Sequence, residues 1–153
     1  MPNNRKVGRF LALDYGRRRI GLAVSDALGL TAQPLETLTW KTLPELLKSL
    51  ADLVDSYQIT EVVLGLPLAL KGNQSRMSRE VERFAQKLQA ALNRPVILWD
   101  ERLTSIQAKR SLRELRVKTG HYKERIDQLA AVYLLQSYLD CHSGRTNQEM
   151  EQT

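Results

Sequence analysis

Leu11-Ala-Leu-Asp14-Tyr-Gly16-Arg-Arg-Arg-Ile-Gly21-Leu-Ala-Val-Ser-Asp26 is the stretch on which the reading of this chain turns. Phe10 to Leu13 is an apolar run that ends on a carboxylate. Tyr15 to Arg19 is short, basic and contains a glycine. Ile20, Leu22 and Val24 then alternate with Gly21, Ala23 and Ser25. The pattern predicts two antiparallel strands around a tight turn. Asp14 then sits where the first strand meets the turn. Asp26 is carried roughly 20 Å back by about six residues of strand at ~3.3 Å each, so the two acids do not share a site. Alone, the stretch leaves two readings of Asp14 open, a chemical group or an ordinary turn aspartate.

The 153 residues fit one domain with a real core, expected over 7–140 with flexible ends at 1–6 and 141–153. With 42% hydrophobic and 26% charged residues, the composition is that of a globular, water-soluble chain. No apolar run approaches the ~20 residues of a membrane span. Met1 to Lys6 lacks a signal-peptide core, and Cys141 is the single cysteine, so a cytoplasmic location is expected. The net charge of +6 is concentrated in two blocks. Residues 5–19 hold six basic side chains against Asp14, and residues 109–125 hold seven against Glu114 and Glu124. Such blocks fit a polyanion partner, most simply nucleic acid, and equally a solvated surface.

Further along, Gln33 to Thr39 reads as an edge strand, with Pro34 tolerated near its start. Thr42-Leu-Pro-Glu45 reads as a capping box opening a helix with a leucine stripe. Thr60 to Leu66 is a β-branched run ended by Pro67, and Lys71-Gly72-Asn73 marks a turn. Ser75 is the expected N-cap of a helix that buries Met77, Val81, Phe84, Ala85, Leu88 and Leu92. Arg76, Arg79, Arg83 and Lys87 lie on its other side, interrupted by Glu80 and Glu82, and read as a solvated face. Val96 to Trp99 is the last strand, ending in Asp100-Glu101-Arg102. A second capping box, Thr104 to Gln107, opens a short helix. A final helix is expected from Glu124 to about Asp140, centred on Ile126, Ala130, Tyr133 and Ser137. This makes an α/β chain: a five-stranded mixed sheet, antiparallel over its first three strands and parallel over the fourth and fifth, flanked by helices.

Parallel strands joined by helices present their C-terminal ends at one edge, where α/β proteins place their sites. That edge collects Asp14, Gly65-Leu66-Pro67 and Asp100-Glu101, and the final helix can add Asp127. Carboxylates gathered in this way call for a cation, and Mg²⁺ or Mn²⁺ suits an all-oxygen site able to promote attack on phosphate.

At this point a resemblance becomes specific. Asp14-x-Gly16-x-x-Arg19-Ile20-Gly21-x-Ala23-x-Ser25-Asp26 resembles the opening of the YqgF (RuvX) family. Three further motifs resemble it in the same order: Gly65-Leu66-Pro67, Asp100-Glu101-Arg102-Leu103-Thr104-Ser105 with Ala108, and Ile126-Asp127-x-x-Ala130-Ala131. The resemblance implies a single ribonuclease-H-like domain related to Holliday-junction resolvases. It also implies a cytoplasmic nuclease that trims the 5′ end of precursor 16S ribosomal RNA. By the same resemblance Asp14, Glu101 and Asp127 are the catalytic, metal-binding residues; Asp100 could share or replace the role of Glu101, and strand alternation does not decide between them. Two positions depart from the family pattern. Arg17 makes the first turn a triple-arginine run, and Lys71 stands where an acid or amide is commoner.

Arg17, Arg18, Arg19, Lys71, Arg102, Lys109, Arg110, Arg113, Arg116 and Lys118 are the expected contacts to the nucleic-acid backbone, with Tyr15 and Tyr122 available for stacking or for packing. The expected partner is precursor ribosomal RNA, free or in ribosomal particles, or structured DNA, with no membrane, and with the chain a monomer or a weak homodimer. Three rivals stand beside the RNA nuclease: a four-way DNA junction resolvase, a non-catalytic RNA- or ribosome-binding factor, and an actin-like ATPase. The last needs two such domains, and this chain supplies one.

Overall fold

A computed structural model describes residues 8–68, 74–103 and 128–142. Lys71, the 104–127 segment with its predicted capping box, His121, Tyr122, Asp127 and five of the expected phosphate contacts (Lys109, Arg110, Arg113, Arg116, Lys118), and the two chain ends lie outside the described residues.

Strands β1 (Arg9–Asp14) and β2 (Arg19–Ser25) form the expected hairpin, and β3 (Ala32–Thr39) pairs with β2 at the edge. Helix α1 (Leu43–Ser56) then crosses to β4 (Ile59–Leu66), which runs parallel to β1. Helix α2 (Arg76–Leu92) crosses to β5 (Val96–Asp100), parallel to β4, and a 3₁₀ turn over Glu101–Leu103 follows. Helix α3 occupies residues 128–142, two residues beyond the expected end of the domain. The sheet order is β3-β2-β1-β4-β5. None of the helices among the described residues is long and apolar enough to cross a membrane.

Alternation along the strands feeds two cores, one on each face of the sheet. Leu11, Leu13, Ile20, Leu22, Val24, Val62 and Leu64 point to the face covered by α1 and α2. Phe10, Ala12, Ala23 and Val63 point to the face covered by α3. A sheet covered on both faces explains why β1 and β4 read as continuous apolar runs rather than as alternating ones.

Two local expectations change and one holds. Thr42 is the N-cap of α1 in extended conformation, but its side chain makes no capping bond. Pro44 in the first turn has no N–H, which removes one of the two donors a capping hydroxyl uses. Ser75 caps α2 as expected, with Ser78 as its reciprocal partner. In α3 the buried stripe runs through Ala130 and Ala131, Leu134 and Leu135, and Tyr138 and Leu139, whereas Tyr133 is 38% exposed. The stripe is a ladder of i, i+4 pairs that centres the two alanines against the sheet, so α3 is rotated from the axis that Tyr133 and Ser137 suggest.

Candidate active site

Asp14 is the last residue of β1 and is only 4% exposed. It follows Phe10 and Ala12 at alternate positions, which places it on the α3 face of the sheet. Leu13 pairs with Leu64 in the parallel ladder, so Asp14 lies level with Gly65 of β4, one strand away. Gly65 follows Val63 on the same face. Glu101 begins the 3₁₀ turn after β5 and is 1% exposed. Its carboxylate lies over Gly65: a Cβ added there would sit 2.6 Å from Glu101 Oε1 and 3.2 Å from Cγ. Two buried carboxylates, one ending β1 and one just after β5, are therefore both placed around Gly65 at the C-terminal edge of the parallel strands.

Gly65 is part of this site, and sequence reasoning noted it only as a motif residue that ends a strand. The signal was present: a lone glycine inside a β-branched run marks a close approach by another group. What approaches is visible only in the structure.

Asp100 and Glu101 part company here. The Arg102 guanidinium donates to Asp100 through Nε at 3.0 and 3.1 Å and through Nη2 at 2.6 Å, and the Arg102 backbone N–H donates at 2.9 Å. Those bonds from Arg102 hold the Asp100 carboxyl below its ordinary range. Asp100 is thus tied to its neighbour at the partly exposed rim, while Glu101 is turned inward. The same pair occupies Arg102, one of the expected phosphate contacts.

The basic turn is held from below. A Cβ on Gly16 would fall 2.3 Å from the Arg19 carbonyl oxygen, so the turn closes only around glycine. Trp40 clamps it, donating Nε1–H to the Gly16 carbonyl at 2.9 Å and its backbone N–H to the Arg18 carbonyl at 2.9 Å. Arg18 is exposed and Arg19, opening β2, is half-buried. Arg17 reaches away to α2, where Nε and Nη2 donate to Glu80 at 3.2 and 3.1 Å. Tyr15 donates its hydroxyl to the same carboxylate at 3.0 Å and packs its ring 4.9 Å from Phe84. Burial first, then Glu80, pushes the Tyr15 hydroxyl up to about 12, and the Arg17 bonds draw Glu80 below its ordinary range. Tyr15 is therefore a packing residue with its hydroxyl engaged, the second of the two roles open to it in the sequence.

Asp26 sits at the far end of the hairpin, as strand length requires. Its carboxylate accepts from the backbone N–H groups of Leu30 and Thr31 at 2.8 Å and of Leu28 at 3.3 Å. Backbone bonds, that from Thr31 foremost, hold it below the usual carboxylate range. It builds the 26–31 loop.

Asp14 and Glu101 offer oxygen donors only, which suits Mg²⁺ or Mn²⁺ rather than a thiophilic ion. Among the described residues no group of three His, Cys, Asp or Glu side chains is placed to hold a metal. The third expected acid, Asp127, lies outside them.

Comparison with known proteins bears on most of the chain. The family model described as RuvX, Holliday junction resolvase, matches residues 8–141. A protein of Koribacter versatilis named a candidate pre-16S rRNA nuclease is 46% identical over 133 residues, 87% of each chain. A protein of Acetivibrio thermocellus with the same name is 43% identical over 134 residues, 86% of this chain and 95% of its own. Among solved structures, RuvC of T. thermophilus in complex with a Holliday junction substrate superposes with a TM-score of 0.55. That match covers 90% of this chain and 96% of the other, at 14% identity, and so is a likeness of fold.

Proposed function

The chain belongs to the RuvX family of Holliday junction resolvases, and from that membership we propose that it is a divalent-metal-dependent nuclease that hydrolyses phosphodiester bonds in precursor 16S ribosomal RNA, maturing its 5′ end. The observation that carries this reading is the placement of two buried carboxylates around Gly65, Asp14 level with it one strand away and Glu101 lying against it, at the edge where parallel α/β sheets hold their chemistry.

Asp14, Glu101 and Asp127 would hold the ion. Asp127 stands four residues before Ala131 and seven before Leu134, both fully buried in the core under the same face, and this spacing supports it as the third ligand. A bound Mg²⁺ or Mn²⁺ supplies Lewis acidity and neutralises charge on the phosphoryl oxygens. The chain's own residues do the rest. β1 and β4 fix the backbone beneath the two carboxylates, and the absent side chain at 65 lets Glu101 lie flat against the sheet. Arg18 and Arg19, in the turn that follows Asp14 and at the start of β2, would hold the phosphates that flank the scissile one. Contacts of that kind carry little sequence information, so RNA shape would select the substrate. The reading places the protein in the cytoplasm, where its RNA is made.

The test is cleavage of a precursor 16S transcript in Mg²⁺ or Mn²⁺ by the parent chain and by Asp14→Asn. Loss of cleavage in a folded variant is expected; undiminished cleavage refutes the assignment. The family description supports a second reading, resolution of four-way DNA junctions. Presenting junction and transcript side by side separates the two.

A further inference from the structure

Helix α2 carries Arg76, Glu80, Arg83 and Lys87 at spacings of four, three and four, so all four lie on one stripe of the helix. Arg76, Arg83 and Lys87 are exposed, as a solvated face requires, and the stripe also borders a concave surface. It forms one wall of a cleft of about 450 Å³, and the turn between β1 and β2 forms the opposite wall through Tyr15 and Arg17. Trp40 and the first residue of α1, Leu43, complete the lining. Four cationic side chains and a single carboxylate line the space. The carboxylate, Glu80, already receives Arg17 and Tyr15. Arg79, by contrast, is exposed and is not part of the lining.

We propose that this cleft binds the phosphate backbone of a single-stranded segment of the RNA substrate, beyond the nucleotides presented to Asp14 and Glu101. That the bound segment belongs to a cleavage substrate rests on the nuclease reading above; the anion site itself does not. Tyr15 follows Asp14 directly and points to the opposite face of the sheet. A strand held at the acids on the α3 face therefore passes over Arg17, Arg18 and Arg19 to enter the cleft on the α2 face. The cleft volume lies within the ~300–1,000 Å³ of a site for one small ligand, room for the backbone of a short single-stranded stretch. Glu80 keeps Arg17 aimed into the cleft when the RNA is absent, and an arriving phosphate takes its place beside the guanidinium.

The experiment measures fluorescence anisotropy of a labelled ~20-nucleotide uridine oligomer, in EDTA, across a salt series. The parent chain is compared with Arg83→Gln/Lys87→Gln and, separately, with Arg76→Gln. Arg76, Arg83 and Lys87 are exposed, and near-ultraviolet circular dichroism checks that the variants keep their packing. The double variant should bind roughly tenfold more weakly and lose ~1.4 from the slope of log affinity against log salt, about 0.7 per cation removed. Arg76→Gln should lose about half of that slope. A duplex of the same length should respond much less. An unchanged affinity and slope in the double variant, no binding by the parent chain, or an equal loss on the duplex overturns the proposal. Because no cleavage is involved, these failures are distinct from failure of the nuclease reading, which would appear as Asp14→Asn still cutting.

Discussion

The hairpin β1–β2 carries an aspartate near each end of the sheet, and the two have opposite fates. Asp26 lies at the surface and is surrounded by the N–H groups of its own loop, three of which it accepts. Asp14 is buried at the other end, level with a glycine, with a second buried carboxylate leaning over that glycine. An acid satisfied by adjacent backbone amides is a piece of local architecture. Buried acids gathered at one sheet edge by β1, β4 and β5, segments far apart in the chain, cost stability, and such an arrangement persists in folds where it does chemistry.

The sharpest way to break this comparison is at the buried pair. Asp14→Asn and Glu101→Gln should each lower cleavage of a precursor transcript by about a thousandfold or more, measured as initial rates in Mn²⁺. Asp100→Asn should cost far less, because its carboxylate is tied to Arg102 at the rim.

Gly65→Ala comes next. The added methyl would lie 2.6 Å from Glu101 Oε1, so the carboxylate must move. A displacement of about 1 Å at a catalytic group costs on the order of a hundredfold in rate. Overpacking should lower stability by about 1–3 kcal/mol, which chemical denaturation will show. A variant that is destabilised but fully active would mean that the Glu101 position does not matter.

Asp26→Ala tests the other end. It should lower stability by about 1 kcal/mol through the lost loop bonds and leave cleavage at the parent rate. Its lowered folded-state pKa sets the sign of the pH dependence. The contribution is present above the ordinary aspartate value and disappears as pH falls through the lower folded value, so the difference between parent and variant should vanish in strong acid.

The smallest effect compares two tyrosines packed on opposite faces of the sheet. Tyr15 on the α2 face and Tyr138 on the α3 face are both pushed up to about 12, mainly by burial and then by Glu80 and Glu61 respectively. A raised folded value means that the stabilising neutral form is fully present below about pH 10 and is lost as pH rises toward 12. Stability measured over that window should fall in the parent chain and fall less steeply in Tyr15→Phe.

Much of the fold was legible because its signals are local. The apolar runs that became β1, β4 and β5, the leucine stripe of α1 and the serine that caps α2 each depend on a few neighbouring residues. The readings that changed depend on what lies across a gap. Thr42 has the right residue type for a cap, and a proline two positions on alters its donors. Tyr133 has the right spacing for the core, and the two alanines beside it set the docking angle of α3. The cleft along the basic side of α2 was not legible because nothing in its own sequence places Arg17 and Trp40 across from it.

By itself, the sequence determined the strands and helices, the acids at strand ends and the membership of a family, since residue type, spacing and motif order suffice for these. The tertiary structure decided that Glu101 rather than Asp100 turns inward over Gly65, that Tyr15 packs, and that the α2 cations line a cleft. Each of those depends on strand register and on the approach of segments far apart in the chain, and no periodicity along a single element encodes such distances.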